Sequence, residues 1–197
     1  LHRYGIRRLN ISLDSLDHER FRAITRRGDL DQVLAGIAAA QDAGLAVKIN
    51  MVALKALNED EIGTMVGWCG ERGFDLSLIE TMPLGAVEED RTNHYLPLDL
   101  VKRRLAREYV LIPSLHRTGG PARYYDVAET SRRIGFITPL TDNFCAGCNR
   151  IRISATGTIF GCLGRDQRIE LRDAMRVGGR DAIDAALDAV MTAKPLR

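Results

Sequence analysis

A chain of 197 residues that is 45% hydrophobic and 27% charged carries enough apolar side chains for a sizeable core and is too apolar to be a disordered segment. Its formal net charge of +2 offers no bulk attraction to nucleic acid, so any anionic ligand must be held by a few placed Arg and Lys side chains. No apolar run approaches the roughly 20 residues that span a bilayer, and no basic leader with a short apolar core opens the chain, so a cytoplasmic protein is expected.

The chain starts at Leu1 and enters a strand pattern almost at once, which reads as the C-terminal part of a longer protein. Residues 9–13, LNISL, form a short β-branched run closed by Asp14 and Ser15, and a helix is expected over 17–25. Asp14 reads either as a helix N-cap or as a strand-end turn residue. Leu30, Val33, Leu34 and Ile37 recur at helical spacing, with Asp29 as N-cap and Gly44 as stop. A second strand covers AVKINMVAL, 46–54. Asn58 and Glu61 have the spacing of a capping pair for a third helix, whose apolar face carries Ile62, Met65, Val66 and Cys69 and which ends at Gly70 and Gly73. DLSLIET, 75–81, is the third strand. Glu80 closes it either as a barrel-end site residue or as half of a structural ion pair.

Strands and helices alternating at this spacing are βα units, which favour a parallel sheet or barrel with its chemistry at the strand ends. Beyond Pro83 the pattern changes to a polar stretch, a helix near 98–108, and short strand-like pieces: YVLIP, ARYYDV, RRIGFITP, RIRISA and TIFGCL. Gly119, Gly120, Pro121, Thr156 and Gly157 are turn signals between them, and 171–193 is helical in composition. The expected class is α/β: a partial βα barrel over 1–85, then an α+β region over 86–197.

Cys69, Cys145, Cys148 and Cys162 are the only cysteines. Cys69 falls on a helical apolar face and reads as core. The other three are spaced C-x2-C-x13-C, and a hairpin over 150–162 would return Cys162 to the pair. Structural zinc takes four Cys or His ligands, and no His follows His116. A cubane iron–sulfur cluster also takes four thiolates, so three would leave one iron open to another ligand. A zinc staple that borrows Cys69 or a distant His, a redox pair and an open cluster all fit the spacing. Arg150 and Arg152 follow the Cys pair, and in a strand both would point the same way, suited to forked hydrogen bonds with phosphate or carboxylate.

FCAGCNRIRISATGTIFGCL, 144–163, resembles the C-terminal cluster segment of the GTP 3′,8-cyclase family of radical S-adenosylmethionine (SAM) enzymes. The likeness continues in LNISLDSLD, AVKINMV, LIETMP, GGPARYY and IGFITP. It implies a partial barrel of radical SAM type with a C-terminal cluster-binding extension. It also implies GTP and SAM as partners, without nucleic acid or membrane, and leaves a homodimer open. In that family an N-terminal 4Fe-4S cluster generates a 5′-deoxyadenosyl radical from SAM, and a second 4Fe-4S cluster holds the GTP base. The ribose C3′ radical then attacks guanine C8 in molybdenum cofactor biosynthesis.

Carried onto matching positions, the resemblance makes Cys145, Cys148 and Cys162 ligands of the second cluster. Lys48, Arg150, Ile151 and Arg152 become GTP contacts, Ile151 through its backbone, and Ser12 and Met82 become SAM contacts. No residue is assigned a catalytic role. Departures are equally specific. No cysteine precedes Cys69, so the C-x3-C-x2-C loop of the radical-generating cluster is not in this chain, nor is the glycine-rich SAM motif, and the isolated piece is expected to be inactive. The chain stops at Lys194-Pro195-Leu196-Arg197 in place of a terminal Gly-Gly, and Ser77 stands where the family is expected to carry Arg. Another radical SAM enzyme with an auxiliary cluster, or a zinc-stapled module without activity, are the alternatives.

Overall fold

The structure is a computed structural model that describes residues 1–82, 91–142, 144, 148, 150–162 and 167–194. It forms two compact units, Leu1–Asp142 and Asn143–Arg197.

In the first unit β1 (Arg8–Ser12), β2 (Ala46–Ala53) and β3 (Asp75–Glu80) run parallel, and β6 (Arg132–Ile137) continues the parallel run beside β3. Strands β5 (Arg123–Val127) and β4 (Leu111–Pro113) add on antiparallel, so the sheet order is β1-β2-β3-β6-β5-β4. Between the first strands lie α1 (His18–Thr25), α2 (Leu30–Asp42) and α3 (Ile62–Arg72), and α4 (Leu98–Leu105) precedes β4. The expected mixed α/β class with a parallel sheet is what the chain forms.

Local chemistry explains the boundaries. The Asp17 and Asp29 carboxylates accept the free amides of Arg20 and Gln32 and so cap α1 and α2. Gly44 and Gly73 take φ of 72° and 73° after α2 and α3, a left-handed turn that a Cβ would strain. The capping pair expected at Asn58 and Glu61 does not form. Asn58 is fully buried, its Oδ1 accepts from the Leu54 amide and its Nδ2 donates to the carbonyls of Asp14 and Val52. The Asn58 amide is thus committed to strand-end backbone groups, while Glu61 accepts from Ser15 Oγ at 2.6 Å. Asp14 is a strand-end residue, accepting the Val52 amide at 2.7 Å.

Period-two alternation sorts the sheet into two faces. Val47, Ile49, Met51, Leu76, Leu78, Ile134 and Phe136 are buried on one face, in a core shared with Phe21, Ile37, Met65, Val66 and Cys69 of the helices. Glu80 shares that buried position at 1% exposure without any ion pair among the described residues. Its carboxylate instead accepts the amides of Leu98, Leu140 and Thr141, each at 3.1 Å, and the Thr141 hydroxyl. A buried carboxyl is thus met by hydrogen bonds that fasten three chain segments.

In the second unit β7 (Arg152–Ile153), β8 (Thr158–Phe160) and β9 (Arg168–Glu170) form an antiparallel sheet. Gly157, at φ 87°, makes the turn between β7 and β8. The helical stretch expected over 171–193 is two helices, α5 (Leu171–Val177) and α6 (Gly179–Thr192), broken at Gly178. Ile159, Leu171, Ala186 and Val190 form a separate small core, with Ile151 packed against it. Strand β9 was not expected, because a three-residue RIE run carries no periodic signal of its own.

Candidate functional site

The sheet face opposite the core of the first unit is polar. Register places Ser12 beside Asn50, Asn50 beside Ser77, Ser77 beside Gly135 and Gly135 beside Tyr124, a row across five strands. One pleat earlier, Asn10, Lys48 and Asp75 are neighbours. Two buried atoms in the row, Asn50 Oδ1 and Ser77 Oγ, have no hydrogen-bond partner among the described residues. An unpaired buried polar atom costs about 1–3 kcal/mol, so adjacent ones on a single face mark a surface suited to a polar ligand.

Lys48 lies half-buried on this face. Its neighbour Asp75 is engaged by Arg133, with Nη2 at 2.9 Å, so the carboxylate nearest in register is already paired. The Lys48 amine instead donates to Tyr124 Oη at 3.2 Å, and among the described residues it forms no ion pair. Gly135 makes that contact possible: a Cβ there would lie 2.9 Å from the Tyr124 ring and 3.2 Å from Ser77 Oγ. The Lys48 cation, held by a neutral phenol, is available to an anion.

Ser12 is exposed at the C-terminal end of β1, and Met82 is half-buried two residues beyond β3. Both sit at the carboxyl ends of parallel strands, with β2 between them, where such sheets bind ligands.

The remaining predicted residues belong to the second unit. Arg152 pairs with Phe160 across β7 and β8, so the segments just outside the pair, with Cys148 on one arm and Cys162 on the other, converge at one end of the hairpin. Lys194 Nζ spans that end, donating to Arg150 O at 2.6 Å and Gly161 O at 2.8 Å with Cys148 Sγ at 3.8 Å. Arg150 and Arg152 are exposed while Ile151 packs against the small core, and of the three only Arg152 is within a strand, where Ile153 is exposed as well. The Arg150 guanidinium stands 5.4 Å from the Phe144 ring centre.

Cys148 and Cys162 are free, half-buried thiols. Burial pushes the Cys148 thiol up, but the Arg150 amide and guanidinium, with the charges of Lys194 and Arg150, outweigh it, and the net effect lowers its pKa. A thiol biased toward thiolate is a metal ligand in waiting. Cys145 lies outside the described residues, and among the described residues no three His, Cys, Asp or Glu side chains converge as a metal site. Cys69 is no candidate for a fourth ligand: it is 2% exposed within the first core, where burial pushes its thiol up to about 12.

Sequence reasoning passed over Asn50, Tyr124 and Lys194. Asn50 was within reach, since it lies two residues from Lys48 in the same strand and so shares its face. Tyr124 and Lys194 are distant in the chain from the residues they touch, and no local pattern announces them.

Residues 1–69 match the Radical SAM superfamily, and residues 74–197 match the family described as Molybdenum Cofactor Synthesis C. Similar proteins include a GTP 3′,8-cyclase of Erythrobacter litoralis, 53% identical, with 98% of this chain aligned to 58% of that one. Those of Agrobacterium fabrum and Rhizobium meliloti are 51% and 54% identical, each with 97% of this chain aligned to 55% of theirs. The chain thus spans little more than half the length of the curated relatives it matches.

Proposed function

We propose, because this chain belongs to the Molybdenum Cofactor Synthesis C family, that it is part of a radical SAM GTP 3′,8-cyclase of molybdenum cofactor biosynthesis. The reaction is conversion of GTP to (8S)-3′,8-cyclo-7,8-dihydro-GTP, carried out in the cytoplasm. The division of labour is a partial radical SAM barrel over 1–85 and, over 86–197, a linker with an auxiliary 4Fe-4S cluster and the GTP segment. A homodimer is compatible with this reading.

The observation that carries it is the hairpin end of the second unit, where Cys148 Sγ and the carbonyls of Arg150 and Gly161, the residue before Cys162, meet at one amine. Two thiols held at the same end, one biased toward thiolate, fit the donor chemistry of a cubane cluster, with Cys145 three residues before Cys148 as the third ligand. Further support comes from the polar face of the first unit, whose orphaned Asn50 Oδ1 and Ser77 Oγ suit a nucleoside-like ligand. Among the described residues no helix is long and apolar enough to cross a membrane.

When bound, SAM and its own 4Fe-4S cluster supply the radical that takes hydrogen from ribose C3′, while the protein's part is placement and shielding. Lys48 Nζ pairs with anionic oxygens of GTP. Arg150 and Arg152 carry guanidinium forks suited to phosphate oxygens, and Ile151, its side chain committed to the core of the second unit, offers backbone alone. Ser12 and Met82 contact SAM at the strand ends.

The test is anaerobic reconstitution of the full-length protein with iron and sulfide, with spectra of the reduced cluster taken with and without GTP. A signal that GTP perturbs and that disappears in Cys148→Ser is expected. A spectrally silent zinc site, or a cluster indifferent to GTP, would overturn the assignment.

A further inference from the structure

We infer that Lys194 is a positioning residue for the centre held by Cys148 and Cys162, clipping the two cysteine-bearing arms together and keeping a positive charge beside the Cys148 sulfur. The inference rests on the reading of those cysteines as iron–sulfur ligands. A lysine ammonium has three donors, and here all have partners at one place. Two reach the carbonyls of Arg150 and Gly161, at 2.6 and 2.8 Å, from opposite arms of the hairpin, and Cys148 Sγ lies 3.8 Å away.

The path of the side chain has its own signature. A Cβ on Gly161 would lie 3.2 Å from Lys194 Cγ and 3.2 Å from the Val190 carbonyl, so the lysine stem crosses the hairpin where glycine leaves room. Helix α6 delivers it there, anchored by Val190 at 1% exposure in the small core. Immobilising a lysine costs rotamer entropy, and an exposed lysine would not stay in one place for a single surface contact. Two charge-assisted bonds to carbonyls offset that cost and fix the separation of residues adjacent to Cys162 and near Cys148. Charge and hydrogen bonding around cluster sulfurs set both retention and reduction potential, so both properties should depend on this amine.

The test uses the full-length protein reconstituted anaerobically with iron and sulfide. Iron belonging to this site is the difference between the protein and its Cys148→Ser variant. Lys194→Met should lose that iron to a chelator roughly 10-fold faster, and the midpoint potential of the remaining cluster should move to more negative values. Lys194→Arg, which retains charge and donors, should stay close to the parent in both respects. If Lys194→Met does not fold, Lys194→Gln replaces it with the same expected shifts, since it donates hydrogen bonds without charge. Unchanged iron loss and unchanged potential in the uncharged variant would overturn the role of Lys194. Failure of Cys148→Ser to release any iron would instead overturn the cysteine reading on which the inference rests.

Discussion

Lys48 of β2 and Tyr124 of β5 meet above the two strands that separate them, amine to phenol at 3.2 Å, because the strand beside Tyr124 carries Gly135 at the crossing point. His116 packs against the same ring in a T-shaped pair, with centroids 4.8 Å apart. The lysine is therefore aimed by groups that do not neutralise it.

Tyr124→Phe should weaken GTP binding about fivefold, the worth of one hydrogen bond of about 1 kcal/mol, while leaving thermal stability nearly unchanged. Gly135→Ala should weaken it further, since the new Cβ would collide with the Tyr124 ring. Calorimetric titration of GTP into the full-length protein measures both. Equal affinity in all three proteins would detach Tyr124 from the site.

Arg152→Ala should lower GTP affinity with iron content intact, because the exposed guanidinium contributes nothing to the small core. One lost charge-assisted contact corresponds to roughly 10-fold or more. Binding isotherms alongside iron analysis would show it, and loss of iron together with affinity would instead make Arg152 a structural residue.

Glu80→Ala should destabilise the first unit by about 3 kcal/mol or more, since three backbone amides at 3.1 Å would lose their acceptor in a buried position. Glu80→Gln should recover part of the loss by keeping one carbonyl acceptor. Urea unfolding of the three proteins orders them; a neutral Glu80→Ala would contradict the fastening role.

Asp14 makes stability depend on pH in an unusual direction. Burial raises its pKa above the ordinary 3.8, and the hydrogen bond from Val52 only partly opposes this. The native state thus binds a proton that the unfolded chain has released, so this carboxyl's contribution is fully present below 3.8 and is lost as pH rises through the raised native value. Asp14→Asn keeps the acceptor for Val52 without the buried charge. Its stability relative to the parent should therefore climb from acid to neutral pH, as denaturant midpoints across that range would reveal.

Cys69 should resist alkylation in the folded protein at neutral pH, with its thiol pushed up to about 12 and packed in the core. Cys69→Ala should leave the iron content of the reconstituted protein unchanged, which iron assay and mass spectrometry of labelled protein can check. Iron lost with Cys69 would reopen it as a ligand.

Much of the fold was legible because its causes are local. Helical spacing from Leu30 to Ile37, the Asp29 cap, the Gly44 and Gly73 stops and the alternation in 46–53 all act within a few residues, and each formed where the sequence put it. Asn58 misled because the capping pattern at 58 and 61 competes with three strand-end groups that only the folded β1 and β2 bring near.

The sequence by itself determined the alternation of βα units and the C-x2-C-x13-C spacing. Tertiary structure alone decided that Glu80 would fasten loops, that Tyr124 would hold Lys48, and that Lys194 would reach back across the hairpin to Arg150 and Gly161. The division has a physical origin. Backbone periodicity and capping are settled by neighbours in the chain, whereas the partners of a long polar side chain are chosen by which distant segments packing brings within 3 Å or so.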